Sequence, residues 1–561
     1  MLRTAISVLS LITATIPLPA YAQTLVYTNG TGAKPSPSGA NEAEPPRLII
    51  AISVDQFSAD LFAEYRSEFT GGLKRLQHGA VFPSGYQAQS ATETCPGHST
   101  IMTGVYPARS GIIANDWIDL NTVRDDKTIY CAEDESIAGT NSDDYTVSAV
   151  HLLVPTLGER MKKANRATRV VSVAGKDRAA VMMGGHDVDE LWWWDGKKFT
   201  SYAGRLVPAA VNSANARTSA AIANGAAAEN LPSFCAAHNR AIPIGDGKSV
   251  GEGRFQRAAG DARAFRASPS FDKEIFNLAA DLIADMKLGQ GAATDLISIG
   301  ASATDYIGHS YGTSGSEMCI NLLALDTSLD LFFKALDAKG TNYAVVLTAD
   351  HGGHDLPERL RSLAIPEAQR ITASVAPEAI GAQIAAKLKL AKQPLNSRGI
   401  GDIWIDKDLD AKTKAKVLSE ALAAYRAHPM VAAAFSRTEL LTAKIPAAGT
   451  PPESWSLIER ARATFHAGRS GDFYVALKPR ITPIPDTNRG YVATHGSIWD
   501  YDRRVPILFW RTGMARFEQP LSVSTVDIAP TLAALIHLPV EDGAFDGRCL
   551  DLDASERSSC E

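Results

Sequence analysis

The chain has 561 residues, 45% of them hydrophobic, and a formal net charge of −6. Its length allows one large domain or several of ordinary size, and the apolar fraction is sufficient for a packed core. The mild negative charge gives no reason to expect nucleic acid or an anionic membrane as a partner, so an anionic substrate would have to be attracted by the site itself.

The N-terminus is typical of a targeting segment. Arg3 is a small positive region, residues 5–16 are apolar, and an Ala-Tyr-Ala sequence ends the segment with a small-x-small cleavage site. We expect residues 1–22 to be a signal peptide and the mature protein to be exported, periplasmic or secreted, and soluble. An uncleaved anchor is the alternative, although the apolar run is short for a membrane span. Residues 23–45, rich in Thr, Gly, Pro and Ser, are expected to be a flexible lead-in.

The first predicted strand, residues 47–54, is an apolar, β-rich run that ends at Asp55. Ligands of open α/β sheets bind beyond the carboxyl ends of the strands, which makes Asp55 a candidate site residue. A helical stretch is predicted to follow, through about Gln77.

A possible nucleophile comes next. The sequence Thr94-Cys95-Pro96-Gly97-His98 predicts a tight turn into a helix that starts near His98. Thr94 would then lie just before that start, close to unpaired backbone N–H groups that favour an anion. Asn115 follows in a loop.

The next elements are a helix at residues 154–165 and a strand at 169–174. Two cationic residues, Lys176 and Arg178, stand just past the end of that strand. The triple tryptophan 192–194 is interpreted as a packing patch and is assigned no functional role.

Residues 200–270 have weak periodicity and are expected to form a loop-rich insertion. A helix is predicted at 273–287 and a strand at 295–300, followed by Asp305 and His309. A spacing of four residues places both side chains on one face of a helical turn or on two sides of a compact loop. Either arrangement can chelate one metal ion.

A long amphipathic helix at 317–338 leads to the strand 343–349, after which Asp350 and His351 stand side by side. Two glycines follow and allow the backbone to turn sharply. A carboxylate and an imidazole delivered together at a strand end suit a divalent metal, zinc above all.

The pattern changes over residues 365–485. Helical stretches at 376–391 and 411–427 alternate with short strands at 403–405 and 473–477. We expect a sub-domain inserted into the main sheet.

The last part of the chain contains another His-Gly turn, at His495, and a predicted strand at 505–510. Ser524 or Thr525 can cap the final helix, which is predicted to run to about Leu538. No internal repeat is visible.

Six cysteines follow the predicted signal peptide: Cys95, Cys131, Cys235, Cys319, Cys549 and Cys560. Export and an even count favour disulfides, although many pairings are open. Cys549 and Cys560 are close in sequence and could staple the C-terminal tail. The chain has no Cys-x-x-Cys, which argues against a thiolate zinc site.

Together the strand ends and loops supply three aspartates and three histidines, the kinds of ligand that suit two zinc ions. They are Asp55, Asp305, Asp350, His309, His351 and His495. Thr94 is the natural nucleophile, but a hydroxyl needs a base or a metal to attack at neutral pH. No G-x-S-x-G elbow is visible, so metal coordination is the simpler activator.

The set D…T-x-P-x-H…D-x-x-x-H…D-H-G-G…H-G resembles the alkaline phosphatase superfamily. That superfamily includes nucleotide pyrophosphatase/phosphodiesterases, sulfatases and cofactor-independent phosphoglycerate mutases. Sulfatases carry Cys/Ser-x-Pro-x-Arg at the nucleophile, whereas His98 stands here at the arginine position. The resemblance implies an α/β fold over residues 46–561, an alkaline-phosphatase-like three-layer sandwich with a mostly parallel central sheet and an inserted sub-domain.

Three further residues indicate a similarity to one branch of this superfamily. Asn115, Lys176 and Arg178 are similar to the phosphate-holding residues of the threonine-nucleophile, PafA-like bacterial alkaline phosphatases. A phosphate monoester dianion carries one more charge than a diester and lacks its second bulky group. Two cations beyond the metals therefore favour small-molecule phosphate monoesters as substrates.

By the same resemblance, Asp305, His309 and His495 would hold one Zn²⁺, and Asp55, Asp350 and His351 a second, with Thr94 as its further ligand. Thr94 would attack phosphorus and form a phosphothreonine, which water then hydrolyses. One alternative is a phosphodiesterase or nucleotide pyrophosphatase on the same scaffold. Another is a non-catalytic exported zinc- or phosphate-binding protein. His98, Tyr306 and His354 are interpreted as structural residues or as partners that orient the ligands.

Overall fold

The computed structural model describes residues 44–553 and 558–560. The predicted signal peptide, 1–22, and nearly all of the predicted lead-in, 23–45, lie outside the described residues. Among the helices of the described part, none is both long and apolar enough for a membrane crossing. Residues Pro45–Glu561 form one compact unit.

The strands, in chain order, are β1 (Leu48–Val54), β2 (Ala80–Tyr86), β3 (Asp116–Ile118), β4 (Thr128–Tyr130), β5 (Val170–Ala174), β6 (Glu190–Trp194), β7 (Phe199–Thr200), β8 (Ile242–Gly245), β9 (Lys248–Val250), β10 (Asp295–Ala301), β11 (Tyr343–Thr348), β12 (Gln369–Arg370), β13 (Leu395–Asn396), β14 (Asp402–Ile405), β15 (Val431–Ser436), β16 (Phe473–Leu477), β17 (Ile481–Thr482), β18 (Arg504–Arg511), β19 (Phe517–Glu518) and β20 (Val523–Ser524).

The α-helices are α1 (Ala59–Tyr65), α2 (Gly72–Leu76), α3 (Thr94–Thr103), α4 (Pro107–Ser110), α5 (Leu157–Ala164), α6 (Asp177–Gly184), α7 (Ala209–Asn224), α8 (Ala262–Arg266), α9 (Pro269–Asp285), α10 (Ala303–Tyr311), α11 (Ser316–Asp337), α12 (Pro357–Ser362), α13 (Pro377–Leu388), α14 (Ala411–Ala427), α15 (Arg437–Thr442), α16 (Leu457–Thr464), α17 (Asp500–Arg503) and α18 (Ile528–Leu535).

A ten-stranded sheet runs through the molecule in the order β19-β2-β18-β11-β1-β10-β5-β6-β7, with β20 beside β2. The five strands β11-β1-β10-β5-β6 are parallel to one another. β18 is antiparallel to both of its neighbours, β11 and β2. The mostly parallel central sheet that the sequence predicted is confirmed.

Helices cover both faces of this sheet, and the alternation along β1 shows why. Ile50 and Ile52 point into one buried core with α1, α9 and α11, whereas Ile49 and Ala51 point into another with α3, α5, α6 and α18. Because both faces are covered, the strands are apolar at nearly every position. The result is the expected three-layer sandwich.

The strand register places the candidate site. One row of paired residues crosses four strands: Thr348, Ser53, Gly300 and Ala174. Two residues further along each strand direction come Asp350, Asp55, Ser302 and Lys176. An even offset keeps side chains on the same face, so the carboxyl edge of the sheet gathers Asp350, Asp55 and Lys176, three of the polar residues that the sequence singled out.

The inserted sub-domain has its own four-stranded sheet, in the order β13-β14-β16-β15. Helices α13 and α14 pack on it over a separate apolar core that includes Val417, Tyr425 and Phe473. These helices and strands lie where the periodicity of residues 365–485 predicted them.

Several boundaries differ from the prediction. α3 begins at Thr94, not near His98, so the Pro96-Gly97 pair lies inside its first turn. Proline is tolerated there because the first N–H groups of a helix have no intrahelical partner. The predicted helix through Gln77 is two short helices. Between them, the backbone N–H groups of Thr70 and Gly71 donate to Asp326 Oδ2 of α11 and not to helix carbonyls.

Other differences come from weak or misleading periodicity. The insertion at 200–270 contains the 16-residue helix α7, which buries the small residues Ala210 and Ala214 and so lacks a strong apolar stripe. The helix predicted from residue 154 starts at Leu157. The last helix ends at Leu535, before the predicted Leu538.

All six cysteines are paired, as Cys95–Cys131, Cys235–Cys319 and Cys549–Cys560. The predicted C-terminal staple is thus confirmed. The three tryptophans of β6 are buried in the two cores, as expected for packing residues.

Candidate active site and metal-binding cluster

Two groups of metal-ligand side chains meet at the carboxyl edge of the sheet. Asp55 directly follows β1, whereas Asp350 and His351 come shortly after the end of β11. The ligand atoms of the three residues lie within 4.8 Å of one another. His351 Nε2 is 3.4 Å from Asp55 Oδ1 and 3.4 Å from Asp350 Oδ2. All three side chains are fully buried.

The second group lies towards the opening of the site. Asp305 and His309 lie on one face of α10, so the helical arrangement and not the compact loop is found. Asp305 Oδ1 is 3.2 Å from His309 Nε2 and 3.4 Å from His495 Nε2. The ligand atoms of Asp305, His351 and His495 also lie within 4.8 Å of one another. His351 therefore reaches both groups, a feature that the predicted division into two triads did not include.

Backbone carbonyls fix the tautomer of each candidate histidine ligand. Nδ1 lies 2.9 Å from the Ala493 carbonyl oxygen in His309, 2.8 Å from that of Gly352 in His351, and 2.8 Å from that of Thr92 in His495. An N–H at Nδ1 donates to each carbonyl and leaves the Nε2 lone pair facing the carboxylates.

This arrangement places acceptor atoms opposite one another. Asp55 Oδ1 and His351 Nε2 are buried without a hydrogen bond. A buried acceptor without a donor is costly, and a divalent cation between the two atoms removes that cost. Imidazole and carboxylate donors suit zinc among the common divalent ions. The residues present therefore fit a metal ion.

The electrostatics of the cluster are strongly perturbed. Burial and the neighbouring Asp350 raise the pKa of Asp55 to about 7. Burial opposes ionisation of Asp350 too, but His351 and His98 outweigh it and lower the pKa of that carboxyl. His309 and Lys176 likewise hold the pKa of Asp305 well below its usual value in spite of burial. Three carboxylates at such close range require cations around them.

Lys176 is the cation that the protein itself supplies. Its Nζ lies 2.5 Å from Asp55 Oδ2 and 2.6 Å from Asp305 Oδ2, so it joins the two ligand groups. Although burial opposes its charge, Asp305 and Asp55 raise the pKa of Lys176 above its ordinary value. The same Nζ is 3.5 Å from Thr94 Oγ1.

Thr94 is the first residue of α3 and is fully buried. Helix α3 approaches the end of β11 so closely that a Cβ on Gly97 would fall 2.1 Å from the Asp350 carbonyl oxygen. His98, one turn along, lies 2.8 Å from the Thr94 carbonyl oxygen and 3.1 Å from Asp350 Oδ2. These contacts hold the hydroxyl beside the buried ligand group.

Asn115 is tied to the residues around Thr94. Its Oδ1 accepts the Cys95 N–H at 2.8 Å, and its own backbone N–H donates to Glu93 Oε2 at 2.7 Å. Because Oδ1 is used in this way, the amide NH₂ points in another direction and is a donor for a ligand.

Arg178 lies in the first turn of α6 and is half-buried. Its neighbour Asp177 is engaged by two tyrosine hydroxyls, Tyr130 and Tyr145, each at 2.7 Å. Within the described residues no carboxylate forms an ion pair with Arg178, and its buried Nε has no hydrogen-bond partner. The guanidinium thus keeps donors for an anion.

Sequence reasoning missed Gln56. Its backbone has a φ of 66°, unusual for a residue other than glycine. Its N–H donates to Asp350 Oδ1 and its Nε2 to Asp305 Oδ1, each at 3.2 Å, so one residue connects both groups. Gly308 makes room for it, since a Cβ there would fall 1.6 Å from Gln56 Oε1. Its position next to Asp55 was the one signal that the sequence offered.

His354 stands apart from the cluster. Its Nε2 lies 3.0 Å from Thr482 Oγ1, and its Nδ1 is 3.9 Å from Asp502 Oδ1. Tyr306, in contrast, lies next to the site, with its ring 5.1 Å from Lys176 Nζ. Their interpretation as structural residues or as partners that orient the ligands stays a prediction for both.

Comparison with known proteins gives a family and a fold. The family described as type I phosphodiesterase / nucleotide pyrophosphatase matches residues 49–497. Alkaline phosphatase PhoK of a Sphingomonas species is 55% identical over 523 residues, which are 92% of this chain and 93% of that protein. Alkaline phosphatase PhoD of Zymomonas mobilis is 46% identical over 539 residues, 95% of this chain and 93% of that protein.

Among solved structures, the crystal structure of wild-type alkaline phosphatase PafA superimposes with a TM-score of 0.77 at 25% identity. The match covers 91% of this chain and 99% of that chain. The similarity thus extends over most of both chains and shows a shared fold.

Proposed function

The chain belongs to the type I phosphodiesterase / nucleotide pyrophosphatase family, within the alkaline phosphatase superfamily, and on that premise we propose that it is an exported, zinc-dependent alkaline phosphatase. It hydrolyses small-molecule phosphate monoesters through a phosphothreonine intermediate. Two relatives that align over most of both chains carry the name alkaline phosphatase, which supports the monoester activity.

The observation that carries the monoester assignment is the state of Arg178. It is half-buried beside the cluster, yet within the described residues it has no carboxylate partner, and its Nε lacks a hydrogen bond. Such a guanidinium is suited to bind two oxygens of a phosphate dianion. With Lys176 and the amide of Asn115, it provides donors for the three non-bridging oxygens of a monoester.

The metal ligands follow from the two groups. Asp55, Asp350 and His351 would hold one zinc ion, and Asp305, His309 and His495 a second. Bound zinc stabilises negative charge on oxygen and lowers the pKa of coordinated hydroxyls, so that both ends of an in-line displacement are assisted. The number of ions and their identity are part of this proposal.

The remaining chemistry belongs to the side chains. The Thr94 hydroxyl loses its proton to solvent and its oxygen attacks phosphorus. The bond from phosphorus to the ester oxygen breaks, and the alkoxide takes up a proton from water and leaves as the alcohol. Lys176, 3.5 Å from Thr94 Oγ1, stabilises the charge of the deprotonated hydroxyl. Asn115 and Arg178 hold the non-bridging oxygens in place while charge is redistributed among them. Water then cleaves the phosphothreonine and releases inorganic phosphate and the free hydroxyl.

Two measurements test this function. The purified protein should contain about two zinc ions per chain and should lose activity when a chelator removes them. It should also hydrolyse an aryl phosphate with a higher kcat/KM than the corresponding aryl methyl diester. A metal-free active enzyme or a preference for the diester would contradict the proposal.

A phosphodiesterase is the second candidate, because the family itself is described as type I phosphodiesterase / nucleotide pyrophosphatase. Lys176→Ala and Arg178→Ala separate the two functions. If these residues bind the additional charge of a monoester, each substitution lowers monoesterase kcat/KM much more than diesterase kcat/KM. Equal losses for both ester types favour the second candidate.

Export is supported by the charged, apolar and small-residue order of the first 22 residues. N-terminal sequencing of protein recovered outside the cytoplasm should begin near Gln23. An intact Met1 on that protein would contradict cleavage.

A further inference from the structure

A cleft separates the carboxyl edge of the central sheet from the inserted sub-domain. Its main cavity has a volume of about 110 Å³. An adjoining cavity of about 50 Å³ shares Ile400, Tyr474 and Gly496 with it. We call the two cavities together the cleft.

The cleft opens beside the reacting groups. Its wall includes Glu93, which immediately precedes Thr94, and both His495 and Gly496. Asp116, next to Asn115, lines the same wall. In an in-line displacement the alcohol lies on the side of phosphorus away from Thr94, and an ester whose leaving oxygen lies beside His495 would direct its alcohol towards this space.

The inserted sub-domain forms the opposite wall of the cleft, the one that faces the active site. Asp402 and Trp404 of β14 and Tyr474 of β16 line the cavity. Gly399 and Gly401 lie in the loop before β14, and a Cβ on either would meet no atom within 4 Å. Both have φ values near +145°, a region that favours glycine, so the loop keeps its backbone open towards the cleft.

Three carboxyl groups dominate the polar surface of the cleft. Asp402 uses Oδ1 to accept the Gly471 N–H at 3.1 Å. Glu93 uses Oε2 for the Asn115 N–H, and its Oε1 faces Gly496. Asp116 is the third, and the exposed Arg398 at the rim is the single cationic side chain among the lining residues. The cleft therefore offers hydrogen-bond acceptors and an excess of negative charge.

We propose that this cleft is the subsite for the alcohol part of the ester, and that it selects small alcohols that carry hydroxyl or ammonium donors. This inference rests on the proposed phosphoesterase function. Carboxylates only accept hydrogen bonds, so an occupant gains most by donating them. An alcohol with its own negative charge is repelled by Asp116 and Asp402.

The size of the cleft limits the occupant further. Pockets for drug-sized ligands measure about 300–1,000 Å³. The main cavity of about 110 Å³ suits an alcohol of a few heavy atoms and is too small to enclose a nucleoside. Trp404 and Tyr474 supply apolar faces against which the carbon atoms of such an alcohol can pack.

The test compares esters that differ only in their alcohol. Four substrates are used with the zinc-loaded enzyme at pH 9, where Asp402 is ionised: glycerol phosphate, aminoethyl phosphate, propyl phosphate and phosphoglycolate. Each is measured with wild type, with Asp402→Asn, and with Asp408→Asn as a matched control. Asp408 is an exposed acid of the same sub-domain that lies outside the cleft. Because each variant is divided by wild type for the same ester, differences in intrinsic reactivity cancel.

Asp402→Asn should lower kcat/KM about tenfold for glycerol phosphate, aminoethyl phosphate or both, since a hydrogen bond to a charged group is lost. Propyl phosphate should change less than about twofold, and phosphoglycolate should improve as repulsion falls. Loss for the aminoethyl ester alone identifies ammonium as the preferred donor, and loss for glycerol phosphate alone identifies hydroxyl. Asp408→Asn should leave all four substrates unchanged.

An equal change for all four esters, or no change for any, would overturn the subsite. Trp404→Ala is a second variant that removes packing without altering charge, and it should weaken propyl and glycerol esters alike by raising KM. The same four alcohols are also measured as methyl diesters. If diesters prove to be the better substrates, the monoesterase proposal fails while the alcohol preference is still measured.

Discussion

The two ligand groups of the active site differ in their exposure and in what holds them. Asp55, Asp350 and His351 have no exposed side-chain surface and follow two adjacent parallel strands. His309 and His495 have side chains 14% and 7% exposed, and they lie on a helix and a loop at the opening. The first group is buried at the carboxyl edge of the sheet, whereas the second can be reached from solvent.

This difference matches the two tasks of an in-line displacement. The nucleophile has to be held in one position, and the buried group Asp55, Asp350 and His351 beside Thr94 does so. We call this the closed group and the more exposed one the open group. The alcohol has to leave and water has to enter, and the group beside the cleft permits both. Lys176 and Gln56 connect the two groups, so neither can shift far without the other.

The largest effect is expected at Thr94, in the closed group. Thr94→Ala should lower kcat/KM for an aryl phosphate by at least about 10³-fold, because the attacking oxygen is gone while the ligands remain. Thr94→Ser, which keeps the hydroxyl, should retain most of the activity. Acid quenching during turnover followed by mass spectrometry should detect phosphate on Thr94. Near-normal activity of the alanine variant would mean that water attacks directly.

Metal removal tests the difference in exposure itself. With a chelator in excess, we expect two phases of zinc release. The ion held by the more exposed group, Asp305, His309 and His495, should be lost first. Zinc content measured against time should therefore show a fast and a slow step, and added zinc should restore activity after each. Release of all zinc in a single phase would show that exposure does not distinguish the groups.

Much of the closed group could be predicted from sequence, for a physical reason. A buried parallel strand is an apolar run, and a carboxylate directly after it lies at the edge where ligands bind. Asp55 and Asp350 follow this rule, and His351 is next to Asp350 in the sequence. The reach of His351 into both groups depends on its ring stacking on His495 at 3.6 Å, a contact across 144 residues that no local pattern records.

Other features escaped prediction because they depend on packing between distant segments. Helix α3 starts at Thr94, and its first turn packs closely against Asp350 at Gly97. The sequence predicted a later start because Pro96 and Gly97 are typical of a turn before a helix. The cleft arises from the position of the sub-domain, which periodicity does not give. Helix α7 was missed because it buries alanines in place of large apolar side chains.

A smaller effect is expected at Gln56, the residue that connects the two groups. Gln56→Ala should weaken zinc binding about 10- to 100-fold, as is usual when a partner that orients metal ligands is lost. Gln56→Asn keeps an amide but cannot span the same distance, and it should be intermediate. Competition with a zinc indicator measures the affinity directly, and thermal melts with zinc in excess control for folding. Unchanged affinity in both variants would show that the groups are coupled by Lys176 alone.

The smallest effect is expected at the edge of the open group, in the pH dependence of stability. Burial raises the pKa of Asp402 to about 7, with Arg437 and the Gly471 N–H opposing the shift and Glu93 adding to it. A carboxyl whose folded pKa is raised favours the native state at low pH, and that contribution is lost as pH rises through the folded pKa. Asp402→Asn should therefore nearly match wild type in Tm at about pH 4 and exceed it by a few degrees at pH 9. The gap should widen between about pH 4 and pH 7 and stay constant above pH 7, and Asp408→Asn should show none. A constant gap at all pH values would indicate that Asp402 stays ionised in the folded protein, with the cleft more open to water than its half-buried carboxyl groups indicate.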